Sequence, residues 1–154
     1  MPPRTNLKVL VLDTDFYARQ AINSYLAWDR RTRVVHLADT LESVRDYVRA
    51  VDESEWPDVV LLDAQAASTP AELARLVGEI EQTIPHVMTL VLDRKLSLET
   101  LRACEQAQVN GYLLRNELRI RIASAIIWAQ DHDFVVTQSV KDALQASLRG
   151  GSSG

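Results

Sequence analysis

The segment Pro57-Asp58-Val59-Val60-Leu61-Leu62-Asp63 decides the fold of this chain. Its apolar run is too short for a helix and is typical of a strand that is buried on both faces. Three further apolar runs also stop at a charged residue: Val9–Leu12 before Asp13, Val87–Leu92 before Asp93, and Tyr112–Leu114 before Arg115. We therefore predict a buried parallel sheet, with a further strand from Val34 to Ala38.

Helical patterns lie between these runs. Apolar residues recur at helical spacing in five segments: Phe16–Trp28, Leu41–Val51, Leu73–Ile84, Leu98–Ala107 and Ile120–Ala129. Thr40, Thr69 and Ser97 are candidate N-caps. After Thr69, Pro70 suits the first helical position and Glu72 completes a capping box. Alternating strands and helices predict an α/β fold: a flavodoxin-like, doubly wound, five-stranded parallel sheet with helices on both faces.

The composition is that of an ordinary globular domain. The chain has 154 residues, 47% hydrophobic and 25% charged, with a net charge of −4. This charge argues against a broad nucleic-acid surface. No apolar stretch approaches the ~20 residues that span a bilayer, and Met1–Arg4 carries no apolar signal core. The single cysteine, Cys104, fits a reducing compartment. We expect a cytoplasmic protein that binds neither membrane nor nucleic acid directly.

The charged residues that end the strands are the candidate site. In an open parallel sheet, binding and chemistry collect outside the carboxyl ends of the strands. Asp13, Asp63, Asp93 and Arg115 are predicted to meet there, with Asp15 close by. The three histidines have no metal-ligand spacing, so we assign them to the surface or to packing.

The residues resemble the receiver domain of bacterial two-component response regulators, of the LuxR/NarL type. The specific segments are Val9–Asp13, Pro57–Asp63 and Gly111–Arg115, and the resemblance covers roughly residues 6 to 131. It implies a signalling module that is not itself an enzyme and has no catalytic residue of its own. A sensor histidine kinase would transfer a phosphoryl group to Asp63.

The resemblance also implies roles for the neighbouring residues. Asp13 and Asp63 would bind Mg²⁺, which offsets the charge of nucleophile and phosphate. Positions 93 and 115 would detect the phosphoryl group, and Tyr112 would be the aromatic residue that moves with the switch. Simpler interpretations are open: Asp13 and Asp15 as acids favoured near a helix amino terminus, Asp93 as a turn cap, and Tyr112 as a packing residue.

The sequence departs from the receiver pattern at three positions. The second acid after the first strand is replaced by Thr14, which argues against Mg²⁺. Asp93 stands where the family has a hydroxyl, and an ionised carboxylate repels a phosphoryl group. Arg115 replaces a lysine and can pair with Asp63 or Asp93. We therefore predict an atypical receiver with an acidic pocket of Asp13, Asp15 and Asp93. Asp63 or Asp93 would neutralise Arg115 without any phosphate, so the conformation would depend little or not at all on phosphorylation.

Three segments are expected along the chain. Residues 6–131 form the receiver domain. Residues 132–149 form a linker strand and a helix, Val140–Leu148, toward an output domain that this chain lacks. Residues 150–154 are a flexible linker or an expression remnant. The helix that contains Ile126, Ile127 and Trp128 is so apolar that we expect it to be deeply buried or to form part of a homodimer interface.

Three other functions compete with this hypothesis. The first is a conventional receiver that is phosphorylated at Asp63 despite the departures. The second is a haloacid-dehalogenase-like phosphatase, because Asp13-Thr14-Asp15 fits an Asp-x-Asp motif with Asp13 as the nucleophile. The third is flavin binding on the flavodoxin-like sheet. Against it, the sequence has no phosphate-binding loop rich in Gly, Ser or Thr after the first strand.

Overall fold

The computed structural model describes residues 6–152, so the amino-terminal Met1–Arg4 segment and the last two residues lie outside the described part. Its centre is a parallel sheet of six strands: β1 Leu7–Leu12, β2 Thr32–Ala38, β3 Val59–Asp63, β4 Met88–Asp93, β5 Gly111–Leu114 and β6 Val135–Val136. The order is β2-β1-β3-β4-β5-β6. The flavodoxin-like arrangement is confirmed for the first five strands.

A sixth strand extends the predicted five-stranded sheet. β6 lies in the segment that was predicted to hold a linker strand, and it pairs in parallel with β5 through Gly111 and Tyr112. The pairing is close, because a Cβ added at Gly111 would lie 2.7 Å from the carbonyl oxygen of Val135. Only a residue without a side chain allows this approach.

In the described part of the chain, seven helices surround the sheet: α1 Phe16–Ala27, α2 Leu41–Ala50, α3 Pro70–Thr83, α4 Leu98–Gln106, α5 Arg115–Leu118, α6 Ile122–Ala129 and α7 Gln138–Ser152. The predicted caps are confirmed: the hydroxyls of Thr40, Thr69 and Ser97 each accept from a backbone N–H in the first turn. Glu72 does not complete the box as predicted, since its carboxylate accepts from Ser68 N–H, one residue before the cap.

The carboxyl-terminal third differs from the sequence prediction in two places. The helix expected from Ile120 begins at Ile122, after the short α5 and a 3-10 turn at Arg119–Arg121. The last helix begins at Gln138 rather than Val140 and continues to Ser152, through residues predicted to be a flexible linker. Near the start of this helix, the Ser139 hydroxyl donates to Glu117 at 3.0 Å.

Two apolar cores lie on opposite faces of the sheet, because successive strand residues point to opposite sides. Leu10, Leu12, Val60 and Leu62 face α2, α3, α4 and α7. Val9, Val11, Val59 and Leu61 face α1 and α6. Burial on both faces explains why the strands read as continuous apolar runs. Within residues 6–152, no helix combines the length and apolar character needed to cross a membrane.

Candidate functional site

The carboxyl edge of the sheet brings three aspartates together, as predicted. Asp63 is the last residue of β3 and Asp93 the last of β4, while Asp13 directly follows β1. The strand register aligns these ends, since Asp63 pairs with Leu92 and Asp93 with Leu114. Asp13, Asp63 and Asp93 are only 1%, 1% and 3% exposed. Charged groups buried so deeply need partners.

Arg115 is the partner of two of these aspartates. Its Nη2 lies 2.6 Å from Asp13 Oδ2 and 3.0 Å from Asp63 Oδ1. The Arg115 side chain is 19% exposed, so water competes only weakly for these contacts. The first distance is that of a short charge-assisted hydrogen bond. The sequence suggested Asp63 or Asp93 as the partner, and the structure has Asp63 together with Asp13, but not Asp93.

The single positive charge of Arg115 faces the two carboxylates of Asp13 and Asp63. Two carboxylates share one guanidinium. Burial, and next the charge of Asp13, raise the pKa of Asp63 above its usual value. Burial works to lower the pKa of Arg115, but Asp13 and Asp63 outweigh it, so that pKa is raised and the guanidinium keeps its proton. Burial therefore opposes the ionisation of Asp63.

The two oxygens of Asp63 have different surroundings. Oδ1 contacts Arg115 and accepts from the N–H of Gln65 at 3.2 Å. Oδ2 is buried and has no hydrogen-bond partner among the described residues. A buried carboxylate oxygen without a donor is costly, by about 1–3 kcal/mol or more. This position is thus the least satisfied polar atom of the site's three carboxylates.

Asp93 belongs to a separate network around Tyr112. The Tyr112 hydroxyl donates to Asp93 Oδ2 at 2.6 Å and accepts from Ser97 N–H at 3.1 Å. Asp93 Oδ1 accepts from Arg94 N–H at 2.8 Å and from the Gln65 amide at 3.3 Å. Tyr112 is fully buried, and burial together with the Asp93 bond raises its pKa. Asp93 thereby holds Tyr112 against the loop before α4. The sequence had instead suggested that Asp93 pairs with Arg115 or caps a turn.

Asp15 does not join the buried acids, which corrects its assignment to the pocket. Its Oδ1 accepts from the N–H groups of Tyr17 and Ala18 and so caps α1, and its Oδ2 pairs with Arg94 at 3.1 Å. The backbone bond from Ala18 is the main reason that the pKa of Asp15 is lowered. Asp13 and Asp15 therefore have different partners: Asp13 pairs with Arg115, and Asp15 caps α1.

The residues at this edge do not fit a Mg²⁺ ion. Mg²⁺ requires near-octahedral oxygen coordination at close range. Instead, a guanidinium takes one oxygen of Asp13 and one of Asp63, and the position of a second acid carries the exposed Thr14. Within the described residues, no group of three or more His, Cys, Asp or Glu side chains is placed to hold a metal.

Two residues of the site were missed from the sequence. Gln65 contacts both networks, through its N–H to Asp63 and its amide to Asp93. Arg94 joins the Asp93 loop to α1 through Asp15. Arg94 directly follows β4, and only Ala64 separates Gln65 from the end of β3, so closeness to a strand end was the available signal.

Comparison with known proteins identifies the fold. No family model matches the sequence, and no curated protein matches it either. Solved structures do match.

The isolated receiver domain of RcsB from Salmonella enterica serovar Typhimurium, in the apo form, has a TM-score of 0.74 at 17% identity, and the match covers 91% of this chain and 99% of that one. The receiver domain of the NarL response regulator from Mycobacterium tuberculosis has a TM-score of 0.68 at 20% identity, covering 83% and 99%. A LuxR-family two-component response regulator from Aurantimonas has a TM-score of 0.76 at 12% identity, covering 93% and 98%. The chain therefore has the fold of response-regulator receiver domains.

Proposed function

We propose that this chain is a receiver-like signalling and interaction module whose resting conformation depends weakly or not at all on phosphorylation of Asp63. The single observation that carries the proposal is the position of Arg115 Nη2, within 3.0 Å of both Asp13 and Asp63. In this arrangement a side chain of the protein already supplies the cation that a phosphorylated site would need. The fold shared with receiver domains supports the signalling role.

Phosphorylation would have to disturb two networks at once. A phosphoryl group adds a charge of about −1.5 to −2. It would enter beside Asp93, a buried acid at the end of the neighbouring strand, and would compete with Asp13 for Arg115. Tyr112 would have to leave a 2.6 Å hydrogen bond in order to move. The existing contacts therefore oppose the electrostatic change that a switch of this kind uses.

A conventional phosphoaccepting receiver is the second candidate, and one observation favours it. Asp63 Oδ2 carries no hydrogen bond from the described residues, so this oxygen is the one that could attack a phosphoryl group. In that case Arg115 would be the cation that neutralises the product. The two candidates differ in whether Asp63 reacts.

A phosphodonor experiment separates them. The protein is incubated with acetyl phosphate and Mg²⁺, and intact mass is measured over time. Asp63→Asn is the negative control. A variant that restores the receiver pattern, Thr14→Asp with Asp93→Thr and Arg115→Lys, is the positive control. We expect addition of one phosphoryl group to the restored variant only. Stoichiometric addition to the natural chain, abolished by Asp63→Asn, would establish the conventional receiver.

We further propose that the module pairs with a second copy and acts on transcription through a DNA-binding partner or domain. Trp128 and Ile120 are 60% and 69% exposed near α6, which leaves apolar surface for a homodimer. A sensor histidine kinase remains the proposed partner only under the second candidate. RcsB, which shares the fold, is described bound to the promoter rprA. A sedimentation experiment that shows a monomer at high concentration would remove the homodimer.

A further inference from the structure

A cavity of about 360 Å³ opens between α1, α6 and the carboxyl ends of β4 and β5. Its walls are largely apolar and include Ala21, Ile22 and Tyr25 from α1, and Leu118 and Ile122 from the opposite side. A volume and lining of this kind are typical of small-molecule sites. The predicted site chemistry at Asp63 does not use this space.

The charged side chains that line the cavity are all positive. Arg94, Arg115 and Arg119 line the cavity, and no acidic side chain does. Arg94 is neutralised by Asp15, and Arg115 by Asp13 and Asp63.

Arg119 differs from these two arginines, because it makes no ion pair within residues 6–152. Its backbone also has a φ of 45°, which is unfavourable for a residue with a side chain. Strain of this kind persists where the surroundings fix it, and it is frequent at ligand-binding positions.

We propose that this cavity binds a small organic carboxylate with an aromatic or branched apolar body. The carboxylate is held at the rim by Arg119, and the apolar body lies between α1 and α6 beside Ile22 and Ile122. The choice of an anion follows from charge complementarity, and the choice of an apolar body from the walls. The site goes beyond the proposed function, because it stands whether or not Asp63 is phosphorylated.

A ligand in this cavity would affect the ion pairs of Arg115 with Asp13 and Asp63. Arg115 lines the cavity and contacts Asp13 and Asp63, and its buried Nε has no hydrogen-bond partner among the described residues. A ligand that packs against Arg115 would therefore act on the same ion pairs that hold the site. This gives the module a route to ligand control that needs no phosphoryl transfer.

The test uses naphthoate as the probe and naphthamide as its uncharged match, with affinities from titration calorimetry on the full chain. We expect saturable binding of naphthoate and at least about tenfold weaker binding of naphthamide, a factor that corresponds to about 1.4 kcal/mol. Arg119→Gln should weaken naphthoate by about tenfold. Arg121→Gln is the matched control, because Arg121 lies two residues on, outside this cavity, and it should leave the affinity unchanged.

A second variant blocks the apolar part. Ala21 is an exposed residue of α1 that lines the cavity, so Ala21→Phe fills the space without disturbing the core. It should abolish naphthoate binding while circular dichroism shows an intact fold. Absence of saturable binding would overturn the proposal. So would equal affinity for naphthamide, or full affinity in the Ala21→Phe variant.

Discussion

Replacing Arg115 with methionine tests the ion-pair cluster most directly. Methionine keeps much of the side-chain volume and removes every donor. Asp13 and Asp63 are each 1% exposed, so both carboxylates would lose their shared cation in a place that water does not reach. Removing one partner of a buried ion pair costs about 3–5 kcal/mol.

The expected loss lies at the lower end of that range. Arg115 is 19% exposed, so water reaches part of its surroundings and can offset some of the loss. We expect the free energy of unfolding to fall by about 3 kcal/mol at about pH 7. For a chain of this size, the melting temperature should fall by about 6–12 °C. Arg115→Lys keeps the charge and should lose less.

The pH dependence has a definite sign. The pKa of Asp63 is raised in the folded protein, mainly by burial and then by Asp13. Between the unfolded and the folded pKa, the folded state holds more protons, so stability falls as pH rises through that window and returns as pH is lowered. Without Arg115 the pKa should rise further. The deficit of the methionine variant should therefore shrink between about pH 7 and about pH 5.

Urea unfolding, followed by circular dichroism at both pH values, measures these quantities. Asp63→Asn provides the matched background, because it removes one of the two carboxylates that lose their cation when Arg115 is replaced. Arg115→Met should cost less in that background by about 1 kcal/mol or more. If Arg115→Met costs under about 1 kcal/mol at neutral pH, or if its deficit is the same at both pH values, the cluster does not stabilise the fold as argued.

Three further perturbations test other parts of the structure. Tyr112→Phe removes a buried donor to the Asp93 carboxylate and should cost about 1.5–3 kcal/mol in urea unfolding; a loss within error would show that Asp93 finds another donor. Gly111→Ala places a Cβ against the Val135 carbonyl and should cost about 1–3 kcal/mol, with faster amide exchange at Val135; unchanged exchange would contradict the close approach. Burial raises the pKa of Cys104 to about 12, so a thiol reagent at about pH 8 should label it only in denaturant, and rapid labelling of the native protein would disprove this burial.

The alternating strands and helices and the meeting of the acids could be predicted because they depend on short patterns. Apolar runs that end at Asp63 and Asp93 specify buried strands, and parallel pairing then places their ends at one edge. Cap residues such as Thr40 and Ser97 act within one turn, so their roles follow from local sequence alone. These features need no knowledge of which distant residues meet.

The partners inside the site could not be predicted in this way. Arg115 reaches Asp13 across 102 positions of sequence, and no local pattern indicates that Asp13 rather than Asp93 is its partner. Asp15 is turned away because the first turn of α1 uses its oxygen as a cap. β6 joins the sheet because Gly111 admits a neighbouring backbone, which a two-residue apolar stretch does not reveal.

The sequence by itself determined the alternating strands and helices and the edge at which charged side chains gather, since both follow from short-range periodicity. Only the tertiary structure decided how the charges divide. Asp13, Asp63 and Arg115 form one cluster, and Asp93 and Tyr112 another. The reason is geometric: ion pairs and hydrogen bonds depend on ångström-scale distances between side chains from different strands, and packing sets those distances.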